Sequence, residues 1–268
     1  MPSTAVSVRA GGALLKRAAF VIALCAAAAA SPAAHAWEWK HAWNHISWNS
    51  VSGSGTIKSE SRAVSGFTGI SLALDALVDI KQGNAEGVTI EADDNILPLI
   101  ETVVENGTLK IRPTAPHTSF STGKLKLIVS AKTLDSLAIA GAGDIRADAL
   151  KAAALKVKIA GAGDVRITSL EAGDLSVKIA GSGDFVAGGR AASLHASVAG
   201  SGDIRAGDLD AKAVEISIAG SGDAIVWARE TLNVKVAGSG DVKYYGDAEV
   251  KRSIVGSGSI KRLGAAPH

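Results

Sequence analysis

Residues 155–167 read LKVKIAGAGDVRI, and residues 175–187, one period later, read LSVKIAGSGDFVA. Before the glycines, apolar residues alternate with polar or small ones, which is the pattern of a β-strand with one buried face. The tetrapeptide Gly-(Ala/Ser)-Gly-Asp begins at Gly141, Gly161, Gly181, Gly200, Gly220 and Gly238, and a seventh copy at Gly256 ends in Ser259. The spacings are 20, 20, 19, 20, 18 and 18 residues. A period this constant is typical of a stacked repeat protein.

The repeat predicts an all-β fold, a parallel β-helix-like solenoid with coils of roughly 18–20 residues. No segment between the strands is long enough for a crossover helix, so each repeat must carry the chain once around and back into register. Each coil then buries its apolar row only against its neighbours. We interpret the glycines structurally, because they permit a sharp turn with positive φ and because stacked corners leave no space for side chains.

The segment before the repeats is also rich in β-strand signals but follows a different pattern. Asn106-Gly107, between two short apolar stretches, predicts a β-hairpin. Asp94 to Leu97, stopped by Pro98, predicts a single helical turn. The chain is therefore divided into a signal peptide (1–36), a Trp/His-rich N-terminal segment (37–61), the β-rich N-terminal part of the domain (62–131), the solenoid (132–262) and a tail (263–268).

The first 36 residues have the three parts of a secretory signal. Three basic residues, Arg9, Lys16 and Arg17, precede the apolar run 18–30, and a small-x-small site ends at Ala36. This pattern predicts cleavage before Trp37 and hence an exported protein in the periplasm, on the outer surface or secreted. A lipoprotein signal using Cys25 is the alternative, but Leu24 stands where such a signal has a small residue.

Removal of the leader leaves 25 basic and 26 acidic residues of the 28 and 26 in the whole chain. A nearly neutral chain with interspersed charges has no basic stripe, which excludes nucleic acid as a partner. The mature chain also has no cysteine, so thiol catalysis and Cys-ligated metals are excluded. We predict no transmembrane segment in the mature chain, because no second apolar run approaches spanning length.

Several motifs together resemble the adhesin head domain family also called the GIN domain. They are the stretch 67–70 (FTGI), the stretch 104–111 (VENGTLKI), the Gly-(Ala/Ser)-Gly series and the closing stretch 242–246 (VKYYG). The resemblance covers about residues 62–261. It implies a right-handed β-helix-like fold exposed outside the cytoplasm and an adhesin-like role. It brings no catalytic or binding residues that can be carried over.

An aspartate follows the glycines in six repeats and suggests a candidate cation site. These residues are Asp144, Asp164, Asp184, Asp203, Asp223 and Asp241. In register, neighbouring carboxylates would lie about 5 Å apart, and calcium is the natural candidate to bridge them. The competing interpretation is structural: Arg146, Arg166, Arg205 and Lys243 stand two positions after four of the acids and could balance their charge.

A second candidate site is the aromatic cluster of Trp37, Trp39, Trp43 and Trp48. It could form a platform for sugar rings or a protein partner. The alternative is a cap that covers the open first end of the solenoid. His41 and His45 have a helical metal spacing, but no third ligand accompanies them.

These observations favour an exported binding or structural module of the cell envelope, adhesin-like, that recognises a glycan or a protein surface. We predict no enzymatic activity, because the histidines stand in no nucleophile motif and repetition explains the aspartates. The first alternative is a polysaccharide-active enzyme, a glycosidase or lyase. The second is a scaffold with no small ligand. The sequence identifies neither the partner nor the oligomeric state, and no cofactor is predicted apart from the calcium alternative.

Overall fold

The computed structural model describes residues 49–267, whose regular secondary structure is almost entirely β-strand. The strands are β1 (Asn49–Ser52), β2 (Ile57–Arg62), β3 (Gly69–Leu72), β4 (Leu77–Gln82), β5 (Gly87–Asp93), β6 (Ile100–Glu105), β7 (Thr108–Pro113), β8 (Thr118–Ser121), β9 (Lys126–Ala131), β10 (Ser136–Gly141), β11 (Asp144–Gly161), β12 (Val165–Gly181), β13 (Phe185–Gly200), β14 (Ile204–Gly220), β15 (Ala224–Gly238), β16 (Val242–Tyr245), β17 (Glu249–Gly256) and β18 (Ile260–Gly264). The signal peptide and the tryptophan cluster lie outside the described residues.

The repeats stack as parallel strands, which confirms the predicted all-β solenoid. The strand portions that lead into each Gly-x-Gly corner pair in register from β3 through β10 and β11 to β17, and we call this the pre-glycine ladder. The portions after the corner pair from β4 through β11 to β18 and form the post-glycine ladder. The stack makes about six turns. Each corner glycine pairs with the corner glycine of the next coil, so residues one repeat apart in the sequence lie side by side in the stack.

The core is a set of apolar columns inside the stack. In one coil, Leu155, Val157 and Ile159 are buried to within 1% of complete, whereas Lys156 and Lys158 between them are exposed. The same alternation recurs in the neighbouring coils and confirms the predicted strand face. Burial of these columns supplies most of the stabilisation, because each coil removes apolar surface from water only on stacking.

A corner stacked on a preceding Gly-x-Gly corner needs both of its glycines for steric reasons. Gly161 has φ +128°, and a Cβ atom there would lie 2.3 Å from the carbonyl oxygen of Gly141 in the coil below. At Gly163 a Cβ would lie 2.1 Å from the carbonyl oxygen of Gly143. The repeated glycines therefore allow stacked corners to approach closely, as predicted.

The N-terminal part continues the parallel stack and adds antiparallel strands. Strands β3 and β4 form the coil next to the first Gly-x-Gly repeat. The predicted hairpin is confirmed: β6 and β7 are antiparallel, and Asn106 (φ 51°) and Gly107 (φ 72°) form the turn. Strand β5 pairs antiparallel with β2 and β9, and β1 pairs with β8 in a separate two-stranded sheet.

The predicted helical turn is displaced. A single turn of 3₁₀ helix spans Leu97–Leu99 and contains Pro98, so the expectation that Pro98 ends a turn over 94–97 was wrong. Proline is tolerated in a first helical turn, because the backbone N–H that it lacks would have no partner there in any case.

Candidate functional site

The six aspartates form one column along the stack, with each carboxylate bonded to the next coil. The backbone N–H of each aspartate donates to Oδ1 of the preceding one, at N–O distances from 2.8 to 3.2 Å between Asp144 and Asp241. Ser259 ends the column, since both its N–H and its hydroxyl donate to Asp241 Oδ1 at 2.9 and 2.8 Å. The carboxylates thus satisfy peptide N–H groups at the corner where the backbone leaves the sheet.

Of the four basic residues predicted to balance this column, Arg205 alone contacts it. Its Nη2 lies 3.2 Å from Oδ2 of both Asp184 and Asp203. No ion pair joins Arg146, Arg166 or Lys243 to the column within residues 49–267. Most of the carboxylates are therefore held by backbone N–H groups rather than by side-chain cations.

Metal binding by the column stays a prediction. In the part of the chain that the structure describes, no three His, Cys, Asp or Glu side chains converge on a common point. The column places carboxylates one behind another along the stack, and calcium normally takes six to eight oxygen ligands around one centre.

A groove of about 670 Å³ lies at the first coil. We call it the first-coil groove. Its lining comes from β2, from β4 and the loop before it, from β5, from the end of β8 through the start of β9, and from the first corner of the repeats. The lining residues are Ile57, Asp75, Ala76, Leu77, Glu91, Phe120, Thr122, Gly123, Lys124, Leu125, Lys126, Ala142 and Asp144.

One wall of the groove is fixed by a buried carboxylate. Asp93 is 2% exposed, and its side chain accepts hydrogen bonds from Gly55 N at 2.7 Å and from Thr122 Oγ1 at 2.6 Å. Gly53 packs so closely that a Cβ there would lie 2.2 Å from Asp93 Oδ2, and its N–H donates to Ser121 O at 2.9 Å. Two loops are thereby tied to the end of β5, which pre-organises the wall.

The groove combines apolar and charged groups. Ile57 is 49% exposed at its rim, and the half-buried ring of Phe120 forms part of its lining. Asp75 and Lys124 are exposed and have no ion-pair partner among residues 49–267. An apolar surface beside unpaired hydrogen-bonding groups is typical of a ligand-binding site.

One lysine of the groove, Lys126, already has an ion-pair partner. Lys126 Nζ lies 2.7 Å from Asp79 Oδ2, and this hydrogen bond and the charge of Asp79 raise the pKa of Lys126. Glu91 stands opposite Lys126 in the antiparallel pair. Lys126 is paired with Asp79, which is not a lining residue. The negative charges of Asp75, Glu91 and Asp144 therefore exceed the single positive charge of Lys124. The groove is therefore net negative.

A second concavity, of about 650 Å³, lies beside the β6–β7 hairpin and has fewer free groups. Its one cation, Arg112, is bound to Glu101 Oε2 at 2.7 Å and to Glu105 Oε1 at 2.9 Å. Hydrogen bonding to Lys110, together with the charges of Arg112 and Lys110, lowers the pKa of Glu105. These charges satisfy one another, so we prefer the first-coil groove as the candidate site.

Sequence analysis placed one residue of this groove among its candidates, Asp144, the first aspartate of the column. The other five aspartates continue the column along the stack and are not lining residues, although Asp164 N donates to Asp144. The remaining lining residues were missed, because they come from separate parts of residues 57–142 and form no local motif. The only available signal was that the repetition breaks there. The four tryptophans lie outside the described residues, and their platform stays a prediction.

Residues 49–267 contain no helix with the length and hydropathy needed to cross a membrane. The parallel stack with its groove defines a β-solenoid protein. The chain belongs to the family described as "Putative auto-transporter adhesin, head GIN domain", whose model matches residues 66–248. This confirms the resemblance. The family description names an adhesin and no catalytic activity.

Solved structures of similar proteins share the fold. A "putative adhesin" from Bacteroides fragilis is 29% identical with a TM-score of 0.76, and the match covers 80% of this chain and 100% of that one. A "putative lipid binding protein" from Parabacteroides distasonis is 26% identical with a TM-score of 0.69, again over 80% and 100% of the two chains. No curated protein sequence is significantly similar to the chain.

Proposed function

We propose that the protein is an exported, adhesin-like binding module of the cell envelope that recognises a glycan through the first-coil groove. The observation that carries this proposal is the position of the groove. It lies where the repetition breaks, its wall is fixed by Asp93, and it presents polar groups without ion-pair partners beside exposed apolar surface. A site that selects a ligand must differ from the repeating surface around it.

The chemistry of the lining suits a sugar. A pyranose ring has an apolar C–H face, which can pack on Phe120 and Ile57, and hydroxyl donors, for which Asp75 and Asp144 are acceptors. Charge-assisted hydrogen bonds of this kind are shorter and stronger than neutral ones. A protein surface with exposed hydroxyl or ammonium groups is the other partner that this lining fits.

Lipid binding is a second candidate, since a relative from Parabacteroides distasonis is described as lipid binding. The apolar lining of the groove favours an acyl chain. The excess of carboxylates disfavours a fatty acid or an anionic headgroup, because two like charges about 4 Å apart repel by about 4 kcal/mol near a protein surface. We therefore prefer a glycan to a lipid as the ligand of the first-coil groove.

Export is a part of this proposal. The predicted signal peptide gives a mature chain that begins at Trp37, in the periplasm, on the outer surface or secreted. Mass spectrometry of the exported protein tests it directly. An intact leader, or a lipid on Cys25, would contradict the predicted cleavage.

A glycan array probed with the mature protein tests the binding function. We expect retention of neutral oligosaccharides, weakened at least tenfold by Asp75→Asn, which removes a charged acceptor from the rim without touching the core. Glu230→Gln is the matched control, since Glu230 is exposed and lies in β15, away from the groove lining. Equal binding by the two variants would remove the groove from the proposal.

The same array separates the alternatives. Shortened oligosaccharides after incubation would identify a polysaccharide-active enzyme. Binding to fatty acids or anionic vesicles, with none to sugars, would favour the lipid function. Absence of binding to every probe would favour a scaffold with no small ligand.

A further inference from the structure

The last coil departs from the repeat at three positions. Arg252 pairs with Val234 and so takes an inward-facing position. Arg262 takes the corresponding position opposite Tyr244 in the post-glycine ladder. In the earlier coils the position of Arg252 is held by Val157, Val177, Ala196, Ile216 and Val234. Ser259 replaces the aspartate of the column.

The same coil ends the stack with an open edge. In the described chain, β17 pairs only with β15 and β18 pairs only with β16. Within residues 49–267, one side of each strand therefore presents unpaired backbone N–H and C=O groups. Val255 is 71% exposed and Leu263 40%, two of the three large hydrophobic residues that are exposed in residues 49–267. An edge of this kind is a template for pairing with another chain.

We propose that Arg252 and Arg262 protect this edge and prevent it from pairing with the same edge of a second copy of the chain. A copy stacked on the last coil would cover the inward positions and bury both guanidinium groups. Arg252 has no hydrogen-bond or ion-pair partner in the described chain, so its charge would be buried without compensation. Two copies that meet by the same edge also bring their arginines together, which adds repulsion.

The neighbouring features act in the same direction. Arg262 is held in place, since its Nε donates to Gly246 O at 2.8 Å and its Nη2 contacts Asp247. Ser259 donates its N–H and its hydroxyl to Asp241. Because serine has no carboxylate, this position offers no carboxylate acceptor to the peptide N–H of a further coil. Inward-pointing charges are a known means by which natural sheets protect their edges. This inference is independent of the proposed glycan site.

Light scattering after size-exclusion chromatography tests the proposal on the mature protein. We expect the wild type to remain monomeric, and Arg252→Val and Arg252→Val/Arg262→Val to form dimers at micromolar concentration. Because Arg252 has no partner to lose, the single variant keeps the test valid if loss of the Arg262 contacts disturbs folding. Thermal melts confirm that each variant is folded.

The matched control is Lys251→Val/Lys261→Val. It removes two positive charges from the same coil, but at outward positions that pair with Asn233 and Lys243. We expect this control to stay monomeric. Association of the control to the same extent, association of the wild type through this edge, or folded but monomeric arginine variants would each overturn the proposal.

Hydrogen exchange of the dimer identifies the partner surface. Pairing by the same edge should raise protection in β17 and β18 only. Protection gained in β6, which lies beyond β3 and β7 at the opposite edge of the sheet in the described chain, would show a head-to-tail contact and would contradict pairing by the same edge.

Discussion

Two regions share the same ladders: the regular coils between Gly141 and Gly238 and the N-terminal part before them. They differ in the hydrogen bonds that their aspartates make. In the coils, each aspartate makes one recurring hydrogen bond to the next coil. In the N-terminal part, one buried carboxylate, Asp93, holds two loops that are distant in the sequence. Repetition thus spreads stabilisation over many equivalent contacts, whereas the irregular part concentrates it in a few residues and creates the groove.

Reversal of the strand alternation within a coil should have the largest effect. Ile179→Asp buries an unpaired carboxylate at a position that is 2% exposed and should cost several kcal/mol, comparable with the total stability of a domain. Lys178→Asp, at the exposed neighbouring position, should change stability by about 0.5 kcal/mol or less. Thermal melts of the two variants check this. Equal losses would show that the buried face has been assigned wrongly.

A methyl group at a stacked corner should be the next most damaging change. A Cβ at Gly163 would lie 2.1 Å from a backbone oxygen, which cannot move without its own ladder, so Gly163→Ala should cost about 3 kcal/mol. Gly83→Ala, where a Cβ meets nothing within 4 Å, serves as the control and should be nearly neutral. Urea unfolding of both variants gives the difference. A tolerated Gly163→Ala would mean that the coils can separate locally.

Removal of carboxylates tests the contrast between the two regions directly. Asp93→Ala removes a charged acceptor that two partly buried hydrogen bonds use, from Gly55 N and Thr122 Oγ1, and should cost about 3 kcal/mol. Asp223→Ala removes one recurring hydrogen bond at an exposed corner and should cost about 1 kcal/mol. Denaturant unfolding of the two variants measures both losses. A larger loss at Asp223 would make the column, rather than Asp93, the more important polar element.

Removal of calcium by a chelator should have the smallest effect on stability. If backbone N–H groups and Arg205 balance the aspartate column, addition of a chelator should leave the melting temperature nearly unchanged. A calcium-filled column would instead gain about 2.7 kcal/mol at a hundredfold excess of ion over Kd. A calcium-dependent rise of many degrees, abolished by Asp164→Asn, would make the column a metal site.

The repeat could be predicted well because its signals are local. The alternation around Val157 identifies the buried face, and the spacing of Gly141 and Gly161 fixes which residues pair between coils. The Asn106-Gly107 turn was predictable for the same reason, since both residues adopt the positive φ that a tight hairpin requires. The position of Pro98 was not, because a proline fits both the beginning of a short helical turn and the residue after its end.

The sequence by itself determined the solenoid, its register and the need for glycine at the corners, because all three follow from residue periodicity and backbone sterics within one coil. Only the tertiary structure decided how the polar groups are used. The hydrogen bonds of Asp93 reach 38 and 29 residues along the chain, and the groove joins residues from 57 to 144. Such contacts depend on how non-repeating segments fold back onto the stack, and no local pattern records that path.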